Sequence, residues 1–266
     1  MPIQPAFSFV PIDGRRSTTK PRKTGLTMVK DYQLGLRGLE DLLEVAADYM
    51  DIFKFVTGTS RLFDRAHLMK KIALLNSYQV RPFLGGQFQE YVLHTMGLDA
   101  FPRHLREARD LGFEIVEISD NVVSLPDGVR KELMDRIRDL GMTPVGEIGD
   151  KHTNSSARDI VRDVQLALDE GSEFAMVEGQ ELMVDGQPNE ELITMLSNEV
   201  DVGRCMFEIS TPYIGSTLHE IYVGKKFLIK TFGSDVNLGN VSSDAVIETE
   251  VTRLGLGAAG PLAYLA

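Results

Sequence analysis

Short apolar runs alternate with amphipathic stretches along almost the whole chain, and that alternation predicts strands and helices in turn. The runs span Gly25–Lys30, Asp51–Phe55, Gln79–Leu84, Phe113–Ile118, Thr143–Ile148, Phe174–Val177, Arg204–Ile209 and Ser234–Leu238. Helical spacing covers Leu39–Tyr49, Arg65–Tyr78, Val129–Leu140, Ala157–Leu168 and Ala245–Leu254, among others. Pro126 and Asp127 suit the start of one helix, and Asn154 to Ser156 offer N-caps for another. Gly112, Gly141, Gly171 and Gly233 fall where a helical stretch ends and the next run begins, a position where helices tend to stop at glycine. Eight strands, each trailed by helical sequence, predict a single α/β domain, a (β/α)8 TIM barrel, over residues 23–266. Residues 1–22 hold four prolines and little periodicity and read as a short N-terminal arm on the body. A doubly wound open sheet is the main rival. It usually carries a glycine-rich turn after its first strand, and none follows Gly25–Lys30.

Superimposed on this pattern is a repeated acid. Val116-Glu117-Ile118, Gly146-Glu147-Ile148, Val177-Glu178-Gly179 and Phe207-Glu208-Ile209 recur about 30 residues apart, one strand–helix unit each time. Each Glu falls at the C-terminal end of a predicted strand, the end at which barrel enzymes carry their active sites. An ionised carboxylate there is costly unless it is paired, hydrogen-bonded or metal-bound. Structural ion pairs with lysines account for some single acids; four in phase point to a shared polar site.

Composition narrows the function classes. Hydrophobic residues make up 43% and charged residues 25% of the 266-residue chain, the balance of a soluble globular protein. The net charge is −11, and the one basic cluster, Lys20 to Lys23 with Arg15 and Arg16, is small, so no nucleic-acid partner is expected. No apolar run reaches the roughly 20 residues of a membrane helix, and the first residues lack the order of a secretory signal; no membrane partner and a cytoplasmic location are the expectations. Cys205 is the only cysteine, which excludes an intrachain disulfide and a thiolate zinc cage. An apolar-rich stretch from Tyr213 to Phe232 suits a subunit contact in a homo-oligomer.

The other strand ends are polar too. Lys54 lies in the second run with Gly58-Thr59-Ser60 after it, Gly85-Gly86 follows the third, Asp120 the fourth and Lys151 the fifth, while Asn237 and Asn240 bracket the eighth. Backbone N–H groups in such glycine turns approach anions closely. A lysine among carboxylates serves as a counter-charge or as an acid or base. Oxygen ligands from Glu and Asp, with no Cys or His pair, select magnesium over zinc. His152 stands at a predicted strand end, and the other histidines fall on or beside helical stretches.

From Lys20 onward the chain resembles the phosphosulfolactate synthase family. The resemblance rests on Pro21-Arg22 with Thr24-Gly25-Leu26-Thr27, Lys54-Phe55 with Gly58-Thr59-Ser60, Lys71-Ile72 and Gly85-Gly86 through Glu90. It continues in Glu117-Ile118-Ser119-Asp120, Glu147-Ile148-Gly149 with Lys151, Val177-Glu178-Gly179 with Glu181, Phe207-Glu208 and Val236-Asn237-Leu238-Gly239-Asn240. The resemblance implies a magnesium-dependent enzyme that adds sulfite to phosphoenolpyruvate, with a small anionic molecule as its partner. It assigns proton transfer to Lys151; with the strand-end pattern, Glu147 and Lys54 join it as catalytic candidates, and Glu117, Asp120, Glu178 and Glu208 are the candidates for metal binding. Substrate binding falls to Arg22, Thr59, Ser60, Gly85, Gly86, Asn237 and Asn240.

Departures from the family pattern cluster near the expected mouth. A basic residue that commonly precedes the catalytic lysine is Asp150, an arginine is replaced in Glu178-Gly179-Gln180-Glu181, and the basic loop that follows is shorter and acidic around Asp185. The closing Gly255-Leu256-Gly257-Ala258-Ala259 lacks a further arginine and an aspartate, and Gln87-Phe88-Gln89-Glu90 also departs. Charged hydrogen bonds contribute about 1.5–3 kcal/mol each, so these losses bear on anion affinity. Three readings stay open: a synthase whose lost cations are replaced by residues such as Arg22, Arg61, Arg81 or His152, a diverged enzyme with another acceptor or nucleophile, and a non-catalytic binding barrel.

Overall fold

The computed structural model describes residues 6–120, 122–126, 128–148, 156–184 and 187–256. Among these residues ten strands run in chain order as β1 (Thr27–Asp31), β2 (Ile52–Phe55), β3 (Arg81–Leu84), β4 (Ile115–Ile118), β5 (Thr143–Ile148), β6 (Ala175–Glu178), β7 (Met183–Val184), β8 (Gln187–Pro188), β9 (Cys205–Glu208) and β10 (Asn237–Ser242). All but β7 and β8 pair in parallel and close into a barrel in the order β1-β10-β9-β6-β5-β4-β3-β2; β7 and β8 form a two-stranded antiparallel ribbon on the β6 loop. The chain is therefore a (β/α)8 TIM barrel, and the open-sheet alternative is excluded by closure of β1 onto β10.

Nine helices among the described residues surround it: α1 (Leu36–Ala46), α2 (Arg65–Ser77), α3 (Gly86–Met96), α4 (Phe101–Leu111), α5 (Val129–Asp139), α6 (Ala157–Asp169), α7 (Glu190–Glu199), α8 (Leu218–Phe232) and α9 (Val246–Arg253). Their ends follow local chemistry. Ser156 accepts the Asp159 N–H at the start of α6, and Thr217 with Glu220 forms a reciprocal capping box on α8. Gly112 ends α4 in the left-handed conformation that residues with a Cβ avoid. None of these helices is long and apolar enough to cross a membrane. Asp127, Asn154 and Ser155, expected at helix starts, lie outside the described residues.

Period-two alternation divides the apolar strand residues between two cores. One face packs outward on the helices, where Val29, Phe53, Phe55, Val116 and Phe207 join the main core. The other fills the barrel interior with Met28, Ile52, Phe83, Ile115, Val145, Met176 and Met206.

Most strands begin one or two residues later than their apolar runs, whose first residues lead in from the preceding turn. The eighth barrel strand departs more. The run Ser234–Leu238 covers its approach and first two residues, and β10 extends to Ser242 through Gly239 and Asn240. Between Thr27↔Leu238 and Val29↔Val241 the register gains a residue on β10, and Asn240 sits at φ 57°. This is a bulge, a device that re-aims side chains beside barrel mouths.

Asn237 comes before the bulge, as the first residue of β10. Its side chain lies at the N-terminal end of the barrel, where Oδ1 accepts the Leu26 N–H at 2.9 Å and Nδ2 donates to the carbonyls of Gly203 and Cys205 at 2.8 and 2.9 Å. Expected at the binding end, Asn237 is a structural clip at the other. Arg22 is displaced likewise. Its guanidinium pairs with Asp51 at 2.9 Å, ahead of β2, and also donates to the Asp48 carbonyl. Arg16 pairs with Glu250, and the buried Arg253 donates to the carbonyls of Ser234, Val236 and Leu26. These cations staple the N-terminal face, the end that serves stability in this architecture.

Candidate active site

Continuing each inward row by two residues changes its chemistry. Met28 gives way to Lys30, Ile52 to Lys54, Ile115 to Glu117, Val145 to Glu147, Met176 to Glu178 and Met206 to Glu208. The six polar side chains line one cavity of about 320 Å³ at the C-terminal ends of the strands. A strand alternates sides regardless of residue type, so the same geometry that packs the barrel interior delivers this ring of charge.

Lys54 organises it. Its Nζ lies 2.9 Å from Glu117 Oε1 and 3.2 Å from Glu208 Oε1, with the Phe83 ring beneath it. Burial alone would lower the pKa of this lysine, but Glu117, Glu208 and Glu147 outweigh it and hold the group well above its ordinary range. The Glu117 carboxyl is raised to about 7, with burial as the largest cause; Lys54 and the Gly86 N–H pull against it, and Glu147 and Glu208 push with it. The two neighbouring carboxylates oppose the pull of Lys54, so the Glu117 proton is lost less readily than in water.

Glu117 is held from a second side. Its Oε2 accepts the N–H of Gly86 at the start of α3. A Cβ on Gly86 would meet Ser119 Cβ at 2.7 Å and Glu117 Cγ at 2.9 Å. Only glycine lets the carboxylate reach the helix N-terminus, where the dipole favours negative charge. A Cβ on Gly85 would approach the Phe55 carbonyl at 3.0 Å. The Gly85-Gly86 pair thus serves close packing of the acid frame, although both residues also line the cavity.

Glu147, Glu178 and Glu208 each direct a carboxylate oxygen to a common region, with the three oxygens within 4.8 Å of one another. Three hard oxygen donors, with no sulfur or imidazole among them, match the preference of magnesium. The metal set expected from the sequence contained Glu117 and Asp120 in addition to Glu178 and Glu208. Instead, the geometry groups Glu147 with the last two, while Glu117 is taken up by Lys54 and Gly86. Asp120 does not line the cavity; burial raises its pKa, and Arg130 stands 3.8 Å away.

Other expected residues divide similarly. Asn240 lines the cavity, re-aimed by the β10 bulge. Thr59 is absent from the lining, and its hydroxyl donates to the Val56 carbonyl within its own loop at 2.8 Å. Ser60 faces a separate, mainly apolar cavity outside the barrel with Phe63, Phe88 and His104. Both depart from the anion-binding turn expected there. Lys151 and His152, with the altered positions Asp150 and Asp185, lie outside the described residues.

Several cavity residues escaped the reading of the sequence, among them Lys30, Tyr32, Thr211 and Tyr213. The tyrosine rings meet at a 40° tilt with 4.7 Å between centroids, and Lys30 Nζ sits 5.9 Å from the Tyr213 ring. The alternation that fills the interior with Met28 is the signal for Lys30; Tyr213 gives none, because only the fold brings its loop over β1.

Comparison with known proteins identifies the family. The sequence profile described as (2R)-phospho-3-sulfolactate synthase (ComA) matches residues 15–258. Phosphosulfolactate synthase of Methanocaldococcus jannaschii is 32% identical over 94% of this chain and 96% of its own length. Phosphosulfolactate synthase of Methanothermobacter thermautotrophicus is 30% identical over 89% and 91%. Among solved structures, a 3-hexulose-6-phosphate synthase superposes with a TM-score of 0.52 at 14% identity, covering 88% of this chain and 99% of its own, a likeness of fold. A match running through all eight barrel strands and all four repeated glutamates places this chain, as an enzyme, in the phosphosulfolactate synthase family.

Proposed function

We propose that the enzyme joins sulfite to phosphoenolpyruvate in a magnesium-dependent addition that yields phosphosulfolactate. The observation that carries this reading is the convergence of Glu147, Glu178 and Glu208 beside the Lys54–Glu117 pair in one cavity. A small three-carbon acid fits its volume of about 320 Å³. The sulfur lone pair attacks the terminal carbon of the double bond, and the displaced electron pair moves onto the substrate carboxylate. A proton then reaches the carbon that bears the phosphate, completing the balance.

Glu147, Glu178 and Glu208 would hold the metal, whose contribution is to stabilise negative charge as it accumulates on that carboxylate. Lys54 fixes Glu208 and Glu117 in place; a group held so firmly as a cation is an electrostatic anchor and a poor proton donor. Lys151 is the proton donor that the family resemblance assigns.

The test mixes protein, magnesium chloride, sulfite and phosphoenolpyruvate and follows phosphosulfolactate by mass spectrometry. Wild type is expected to form it, and Lys151→Ala and Glu178→Gln to lose at least 100-fold in kcat, in keeping with removal of a proton-transfer group or a metal ligand. Absence of product from wild type at high enzyme concentration rejects this substrate pair and favours a diverged acceptor or nucleophile.

A further inference from the structure

The cavity holds two described lysines in very different circumstances. Lys54 is locked between two carboxylates. Lys30 is equally withdrawn, with 8% of its surface exposed, yet it forms no ion pair or hydrogen bond with any described residue. Burial lowers its pKa, and attraction to Glu208 and Asp244 opposes that shift without bringing either acid into contact. A buried ammonium without a bound counter-ion is costly, and a cavity is the place where a ligand relieves that cost.

Its surroundings point to the ligand. Lys30 lies on β1 directly beside β10, with Lys30 and Ser242 in register. In this architecture the loops after the seventh and eighth barrel strands frequently form a phosphate site. Here those strands are β9 and β10, and they bring Thr211 and Asn240 to the same cavity. Neither side chain hydrogen-bonds a described residue. The Tyr213 ring, which leans on that of Tyr32, lies 5.9 Å from Lys30 Nζ and flanks the ammonium on one side. The metal-type carboxylates Glu147 and Glu178 come from β5 and β6, across the barrel from β1. A substrate with a carboxylate at one end and a phosphoryl group at the other can therefore bridge the two halves of the mouth.

We propose that Lys30, with Thr211 and Asn240, is the subsite for the substrate's phosphoryl group, taking over the role of cations missing elsewhere at the mouth. The proposal rests on the functional reading above for the identity of the substrate, and on the cavity alone for its anion chemistry. Lys30 is a specificity-determining cation, and it carries no proton in the reaction.

The test uses the full-length protein, with inorganic phosphate as the first probe and phosphoenolpyruvate as the second, both followed by calorimetry and by phosphorus NMR line width. Wild type binds both, Lys30→Met weakens both at least tenfold, and Lys30→Arg recovers most of the loss. In the synthase assay Lys30→Met raises KM for phosphoenolpyruvate at least tenfold, with kcat within a few-fold and KM for sulfite unmoved. Thermal unfolding no lower than wild type's shows that Lys30→Met folds. Two results overturn the subsite: wild type binding neither probe, or Lys30→Met binding both as tightly as wild type does. Lys30-dependent phosphate binding without product formation keeps the subsite and rejects the sulfite reaction. Product formation with an unchanged KM in Lys30→Met does the reverse.

Discussion

Glu117 concentrates the physics of the site at the scale of one residue. It is buried, faces one lysine and two other acids, and accepts a backbone N–H at the head of α3. Its pKa near 7 in the fold lies above the ordinary 4.5, so between those values the folded protein keeps a proton that the unfolded chain has released. Unfolding free energy therefore falls as pH rises through that window. Urea unfolding of metal-free wild type and Glu117→Gln from pH 4.5 to 7.5 measures this. The difference between the two profiles should change by an amount on the order of 3 kcal/mol, with wild type losing stability as pH rises relative to the variant. Parallel profiles would show that Glu117 stays ionised throughout. That Glu117 would sit at a strand end was legible from the repeated acid. Its commitment to Lys54 and Gly86, with Glu147 taking a place among the metal-type carboxylates, depends on distances across the barrel that no spacing along the chain encodes.

Among the elements, β10 and the turn after β2 show where reading the chain fell short. Asn237 and Asn240 stand three residues apart in Asn237-Leu238-Gly239-Asn240 and look equally suited to binding. The strand separates them, holding Asn237 at the N-terminal end with three backbone partners and aiming Asn240 into the cavity. Asn237→Ala leaves those buried partners unsatisfied. A loss of about 2–4 kcal/mol is expected, with an unchanged denaturant slope and unchanged phosphate affinity. A variant that loses phosphate affinity without losing stability would return Asn237 to the binding machinery. Thr59 and Ser60 teach the same lesson: a glycine-led polar turn was evident, but the Thr59 hydroxyl bonds within its loop and Ser60 lines another cavity.

Over the whole molecule, the mouth is braced by a pair that joins the helical layer to the barrel. Lys71 of α2 reaches Asp31 at the end of β1 at 2.6 Å, with both side chains buried and Phe55 and Phe63 around the ammonium. Asp31 also accepts the N–H groups of Gln33 and Leu34, which sets the loop that carries Tyr32. Lys71→Met alone strands a buried carboxylate and should cost about 3–5 kcal/mol. Asp31→Asn with Lys71→Met removes both charges and should cost less than the sum of the single changes by about 2 kcal/mol. Additive losses in urea unfolding would mean that the two groups do not share an energetic unit.

The alternation of the eight barrel strands with helices, and the strand end that carries the acids, follow from the chain alone, whereas closure onto β10 was shown by the tertiary structure. Alternation of apolar and polar positions is a local property that each strand expresses without reference to its neighbours. Which acids pair, which gather as donors, where Lys30 points and which asparagine reaches the cavity were decided by strand register, the bulge in β10 and the meeting of loops far apart in sequence. Those are relations between segments, and they acquire values only when the barrel closes.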